Sequence, residues 1–385
     1  MKIKGKEKQI HKFVFVAGFM RVRLGDVCEK GSSNLKQSDV NDKNGEYEIY
    51  GASGLIGKVD FFHQEKPYIA VVKDGAGIGR TMLLPEKTSV IGTMQYILPN
   101  EKVIPKYLYY VIRYMHLEKY FTGATIPHIY FKDYKREEFN LCDLSEQEKI
   151  VSTLSKIEKI ITHRKQQLEK LDLLVKARFV EMFGDPEFNN YNWDTFKMAE
   201  LCTVSSSKRV YQSELTNEGV PFLRISDLVN RMDYNTETCD LFISEEKYSD
   251  LLNNGLVPQK DDILVTARGT LGRCYIVKDT DRFYFQDGMI TWLSSYSEKI
   301  IPVYISYLFS MHGIKKQIEE MQAGSTVAYL SIAMTKKLSI MLPPLDLQTQ
   351  FADFVQQVDK SRVAIQNDLE QAQMLFDSLM QEYFG

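Results

Sequence analysis

From Ile150 onward, apolar residues return at alternating steps of four and three: Leu154, Ile157, Ile161, Leu168, Leu171, Val175 and Met182, with Arg164 and Arg178 in the intervening places. The same rhythm runs near the end of the chain through Phe351, Val355, Val358, Arg362, Ile365, Leu369, Ala372, Phe376, Leu379 and Tyr383. Mostly charged and amide residues flank both stripes. A period of 3.5 sustained in this way is the mark of a coiled-coil seam, so each stretch is expected to be a long helix that needs a partner. A helix lying on the surface of a domain would show a wider apolar stripe over a shorter run. At ~1.5 Å per residue, Ile150 to Met182 predicts a rod of about 50 Å.

The flanks carry start and stop signals. Ser145 with Glu148 three residues later predicts a capping box for the first helix, and Pro343-Pro344-Leu345-Asp346 with Thr349 sets up the second. Gly184-Asp185-Pro186 predicts the end of the first helix.

The two stretches belong to a longer duplication. Gly123-Ala124-Thr125-Ile126-Pro127-His128 returns as Gly324-Ser325-Thr326-Val327-Ala328-Tyr329, and Met182-Phe183-Gly184 as Tyr383-Phe384-Gly385, both displaced by 201 positions. Earlier matches have shorter offsets: Leu24 to Cys28 with Met198 to Cys202 at 174, Ile78-Gly79-Arg80 with Leu271-Gly272-Arg273 at 193, and Pro105 to Leu108 with Pro302 to Ile305 at 197. Insertions fall inside the globular parts and not in the helical ones, as expected if helix length matters while lobe loops vary. The chain thus divides into an extension over 1–19, a lobe over 20–142, a long helix over 143–185, a second lobe over 186–343 and a second long helix over 344–385.

Each lobe reads as mixed α/β. Tyr68 to Val72 and Asp262 to Thr266 look like strands that run into glycine-rich turns, and Tyr107 to Tyr120 and Tyr304 to Met321 look helical, each following a proline. A compact lobe has its termini close together, so the second helix is expected to run back along the first. The expected fold class is α/β (α+β): two similar lobes joined by an antiparallel coiled coil with a pseudo-twofold axis, one lobe at each end of the rod.

Composition narrows the class. The 385 residues are 44% hydrophobic and 26% charged, ordinary globular material. Five scattered cysteines without a Cys-x-x-Cys pair give neither a disulfide framework nor a zinc site, and no metal site is expected. The run Phe13 to Met20 lacks a signal-peptide cleavage pattern, and no stretch is long enough to span a bilayer, so a cytoplasmic location is expected. Net charge is −3, but residues 345 to 385 alone carry seven acids against Lys360 and Arg362. The remainder is slightly basic, and cations gather near lobe turns.

Catalytic patterns are missing. Gly75-Ala76-Gly77-Ile78-Gly79 falls one residue short of a dinucleotide fingerprint, and Ala52 to Val59 lacks the first glycine and the hydroxyl of a phosphate loop. Both are expected to be turns. There is no nucleophile elbow, His-Glu-x-x-His, amino-methyltransferase or helicase segment, so the chain is not expected to be an enzyme on its own.

The doubled order of lobe, Gly-Ser/Thr turn, Leu-x-x-Gln (Leu144 to Gln147 and Leu345 to Gln348) and long helix resembles the specificity subunit of Type I restriction-modification enzymes. The resemblance covers 20 to 385, with 1–19 departing from it and Met20 an alternative start. It implies two target-recognition domains, each reading half of a split DNA sequence, with the helices setting the spacer and docking two methyltransferase subunits, and a restriction/translocase subunit joining for cleavage. It also implies that S-adenosylmethionine, ATP and magnesium belong to those partners, with no cofactor bound here. Candidate contacts to double-stranded DNA are Lys73, Arg80, Lys132, Lys135, Lys208, Arg209, Arg268, Arg273 and Lys336. Two other readings stay open: a two-lobed protein–protein tether on a coiled-coil strut, and a fragment of a fused nuclease-methyltransferase.

Overall fold

In the computed structural model, residues 20–40, 45–123, 127–322 and 328–385 are described. The extension over 1–19, with all of the run Phe13 to Met20 except Met20, and parts of both Gly-Ser/Thr turns lie outside them. The chain forms two units, one built from 1–165 and 367–385 and the other from 166–366. Each unit therefore holds one lobe, the start of the long helix that follows it, and the end of the other long helix.

In the first unit the central antiparallel sheet has the order Cys28–Ser32, Met94–Pro99, Tyr68–Val72, Thr81–Leu84. Tyr68–Val72 is buried along its whole length because both its faces are covered. Tyr68, Ala70 and Val72 pack with Met94 and Tyr96 on one side. Ile69 and Val71 pack on the other with Tyr107, Leu108 and Val111 of helix Pro105–Tyr114, and with both long helices. A smaller sheet of Tyr47–Gly51, Gly54–Val59 and Ser89–Val90 flanks it, and Met20–Arg23 pairs with Glu138–Leu141.

The second unit repeats the plan with additions. Its sheet has the order Thr203–Ser205, Ile290–Ser294, Ile263–Thr266, Cys274–Ile276, and Asp194–Lys197 pairs with Ser339–Leu342. The inserted residues form helices Ile225–Tyr234 and Glu245–Asn253 and a small mixed sheet. The helical run expected over Tyr304 to Met321 is two helices, Pro302–Ser310 and His312–Met321, because Met311 is extended (φ −80°, ψ 153°).

The long helices, Leu144–Phe183 and Leu345–Phe384, have 40 residues each, about 60 Å at 1.5 Å per residue. They pack antiparallel. In the first unit Ile150, Leu154, Ile157 and Ile161 share a core with Ala372, Phe376, Met380 and Phe384. In the second, Val175, Phe179 and Phe183 share one with Phe351, Val355 and Val358. Phe384 meets Tyr107 edge to face with ring centroids 5.3 Å apart, and its repeat partner Phe183 meets Tyr304 in the same way at 5.0 Å. That contact accounts for the repeated Phe-Gly at the end of each helix.

Three sequence expectations are corrected. The first helix is capped by Asp143, whose Oδ1 accepts from Glu146 N–H at 2.9 Å, and Ser145 already lies inside the helix. Thr349 bonds back to the Leu345 carbonyl at 3.0 Å rather than capping. The seam also changes rhythm: burial moves to steps of four at Val175, Phe179 and Phe183, and at Phe376, Met380 and Phe384, leaving Met182, Leu379 and Tyr383 half-buried. Each helix end is covered by a lobe as well as by its partner, which widens the stripe. Nearer mid-helix, Arg164, Leu168, Leu171, Ile365 and Leu369 are half-buried, as in a two-stranded seam with an open flank.

The Leu-x-x-Gln segments have a structural role. Gln147 is fully buried: its amide donates to the Lys102 and Cys142 carbonyls at 3.0 and 2.9 Å, and its oxygen accepts from Ile104 N–H at 2.8 Å. Gln348 does the same with Lys299 and Pro343, each at 2.9 Å, and with Ile301 N–H at 3.1 Å. One side chain thus satisfies three backbone groups that would otherwise be buried without partners.

Candidate nucleic-acid interface

In each unit backbone hydrogen bonds bring the glycine-rich turn and the residues after the Gly-Ser/Thr segment together at one end of the central sheet. In the first unit Val72 N–H donates to the Arg80 carbonyl at 2.9 Å, Lys73 N–H to Thr93 at 3.0 Å, and Ile129 N–H to Lys73 at 2.9 Å. In the second unit Thr266, Ala267 and Leu330 make the matching bonds to Arg273, Met289 and Ala267, each at 2.9 Å. Gly79 and Gly272 close these turns at φ of +80° and +75°, a region glycine enters without steric cost. Two motifs far apart in sequence thus become one backbone bracket, built twice.

Side chains differ where the backbone agrees. In the first unit His128 Nδ1 lies 2.6 Å from Asp74 Oδ1, and Lys73 Nζ lies 3.5 Å from Asp74 Oδ2. Exposed Arg80 donates to the Ala52 carbonyl at 3.0 Å. Lys132 Nζ sits 5.2 Å from the Tyr130 ring centroid, and Lys135 is exposed just after helix Phe131–Tyr134. In the second unit the Arg268 guanidinium lies 5.1 Å from the ring centroid of Tyr329, the repeat partner of His128. Arg209 Nε pairs with Asp287 Oδ2 at 2.9 Å, and the Lys208 backbone is held by the Tyr284 hydroxyl. Lys336 is exposed near the end of helix Ile332–Lys337, at the repeat position of Lys135.

Lys73 and Arg80 thus share one turn, as do Arg268 and Arg273, while Lys208 and Arg209 follow the strand at the other edge of the second sheet. The expectation for Arg273 needs correction. Its guanidinium grips Asp233 at 3.1 and 2.5 Å, a fork already filled from within its own unit. That hydrogen bond holds the Asp233 carboxyl below the usual range. Arg80 and Arg273 match in backbone position and differ in what they touch. Sequence reading missed Asp74, His128, Tyr130 and Tyr329; the offset of 201 pairs His128 with Tyr329, while nothing in the sequence singles out Asp74 or Tyr130.

Each unit also carries an exposed apolar pair on a long helix. Leu173 and Leu174 are 65% and 48% exposed, and Met374 and Leu375, at the same repeat positions, are 64% and 51% exposed. Adjacent large apolar residues left in water on a helix mark a contact surface more often than a scattered single residue does.

Among the described residues, no group of three or more His, Cys, Asp or Glu is placed to hold a metal ion, and no helix is long and apolar enough to cross a membrane. Two copies of one α/β unit, each with a basic-rimmed turn and paired long helices, define a duplicated, two-lobed recognition protein. The chain belongs to the type I restriction modification DNA specificity family, whose domain model matches residues 17–171 and again 190–372. It is 21% identical to a putative type I restriction enzyme specificity subunit of Haemophilus influenzae, over 79% of this chain and 78% of that one. It is 24% identical to the MjaVIII specificity subunit of Methanocaldococcus jannaschii, over 76% of this chain and 72% of that one. Among solved structures, the S subunit from M. genitalium superposes with a TM-score of 0.62 at 17% identity, covering 98% of both chains. A chain from a type I restriction-modification assembly superposes with a TM-score of 0.51 at 16% identity, covering 96% of this chain and 98% of that one.

Proposed function

We propose that this chain is the non-catalytic, DNA-reading subunit of a type I restriction-modification complex. Each lobe takes one half of a split target, and the long helices set the unread spacer. The observation that carries this is the bracket of Lys73 with Ile129 and of Ala267 with Leu330: one backbone frame, used twice, rimmed by Lys73, Arg80 and Lys132 in one unit and by Lys208, Arg209 and Arg268 in the other. Arginine and lysine on short turns suit both phosphate contact and bidentate reading of guanine. The candidates Lys135 and Lys336 fit phosphate contact best, because each is exposed at the end of a short helix.

The exposed pairs Leu173-Leu174 and Met374-Leu375 support docking of two methyltransferase subunits, one at each repeat position. Those partners supply S-adenosylmethionine, and a restriction/translocase subunit supplies ATP and magnesium chemistry; the complex acts in the cytoplasm on double-stranded DNA. The test is co-expression with the methyltransferase subunit, followed by mapping of methylated adenines in the host DNA. A split motif with a fixed spacer is expected. A contiguous motif, or no selected sites, overturns the reading.

A further inference from the structure

Asp74 and Arg268 stand at the same place in the duplicated fold, one residue beyond the carbonyls that accept from Ile129 and Leu330. Their contacts, His128 and Tyr329, are repeat partners too, each one residue before the donating amide. The frame is held fixed by matched backbone bonds while the pair it presents changes from carboxylate–imidazole to guanidinium–phenol. Burial and packing demand no such exchange: Asp74 and His128 side chains are 28% and 37% accessible, and Arg268 is exposed. A scaffold that keeps its backbone and swaps donor for acceptor at one exposed point has the form of an interchangeable reading head.

We infer that these two pairs are base-reading elements of opposite chemistry: Asp74–His128 takes a base amino group, and Arg268, braced by Tyr329, takes guanine. The inference rests on the proposed reading of the lobes as DNA-recognition units. The guanidinium offers only donors, in a fork that matches guanine O6 and N7, and the ring at 5.1 Å restricts its plane. In the neutral imidazole, the carboxylate 2.6 Å from Nδ1 favours the hydrogen there, which leaves Nε2 an acceptor. With Asp74 Oδ1 engaged by His128 and Oδ2 facing the Lys73 ammonium at 3.5 Å, Nε2 is the acceptor the pair presents, suited to the amino group of cytosine or adenine.

The experiment moves one head into the other frame. The double variant Asp74→Arg, His128→Tyr is assembled with its methyltransferase subunits and offered a randomised duplex library, beside the unvaried complex and Arg268→Ala. The double variant is expected to turn one position of one half-site toward guanine by roughly 10- to 100-fold, leaving the other half-site and the spacer unchanged. Arg268→Ala is expected to relax one guanine in the other half-site by about tenfold or more, with the salt dependence of binding unchanged. An unaltered half-site in a folded double variant overturns the inference. So does an Arg268→Ala variant that weakens all sequences equally with a shallower salt slope, which is the behaviour of a phosphate contact. Should the double variant fail to fold, Arg268→Ala decides alone. An unvaried complex that selects no sites overturns the DNA-reading function itself, an outcome distinct from these.

Discussion

Arg362 reaches from the second long helix to Asp172 on the first, Nη1 to Oδ1 at 2.7 Å, from a seam position whose repeat partner is the buried Ile161. Arg164 makes a bridge of the same kind to Asp368 at 2.9 Å, where its repeat partner is Ile365. The Arg362 and Asp172 side chains are 32% and 57% accessible, so solvent screening limits the pair to roughly 0.5 kcal/mol. A polar residue in a seam costs stability while fixing register. Arg362→Leu and Arg164→Leu are therefore expected to melt at or slightly above the temperature of the unvaried protein, but to assemble less uniformly with the methyltransferase subunit. Thermal denaturation together with native mass spectrometry checks both halves of the statement. An unfolded Leu variant would show that the ion pair carries more than register.

The buried glutamines should behave in the opposite way. Gln147→Leu keeps the volume but strands the Ile104 N–H and the Lys102 and Cys142 carbonyls. Each buried unsatisfied group costs about 1–3 kcal/mol and three are stranded, so a loss of roughly 3 kcal/mol or more is expected, and the same for Gln348→Leu. Urea unfolding gives the figure. A change below ~1 kcal/mol would mean that water replaces the amide at no cost.

These residues show what a single sequence gives away. The duplication, the two helices and their antiparallel pairing were legible because a seam and a fixed offset are periodic signals that many residues repeat. Gln147 looked like a motif letter, since nothing local says that a polar side chain will be fully buried; its partners, Lys102 and Ile104, come from a distant loop. Phe179 and Met380 were missed because the heptad rule knows only the partner helix, and here a lobe covers the helix end as well. At the interface, basic residues near turns were visible, but Arg273 could not be told from Arg80. What separates them is Asp233, on a helix that the first unit does not have.

The exposed leucines give a prediction about assembly. Leu173→Lys with Leu174→Lys is expected to leave melting within a few degrees, because both residues already face water, and to reduce the co-purified methyltransferase from two copies to one. Met374→Lys with Leu375→Lys is expected to remove the other copy. Light scattering of the purified complexes counts the subunits. Two copies retained in both variants would move the docking surface elsewhere.

The ruler idea can be tested more cleanly than with a single insertion. Both ends of each long helix are anchored in a packed core, Ile150 and Phe376 in one unit and Phe351 and Phe179 in the other, so lengthening one helix alone would put its two anchors out of register with the partner. Matched four-residue insertions of helix-forming sequence after Lys165 and after Gln366, at the division between the units, leave every contact within each unit in place. Each helix then grows by ~6 Å, enough for about one or two base pairs of rise. The complex carrying both insertions is expected to methylate the same two half-sequences with a longer spacer, whereas the single insertion is expected to lose activity or stability. Mapping of methylated adenines reads the spacer directly. Half-sites kept at their original separation by a folded double-insertion protein would show that the helices hold the lobes together without measuring the distance between them.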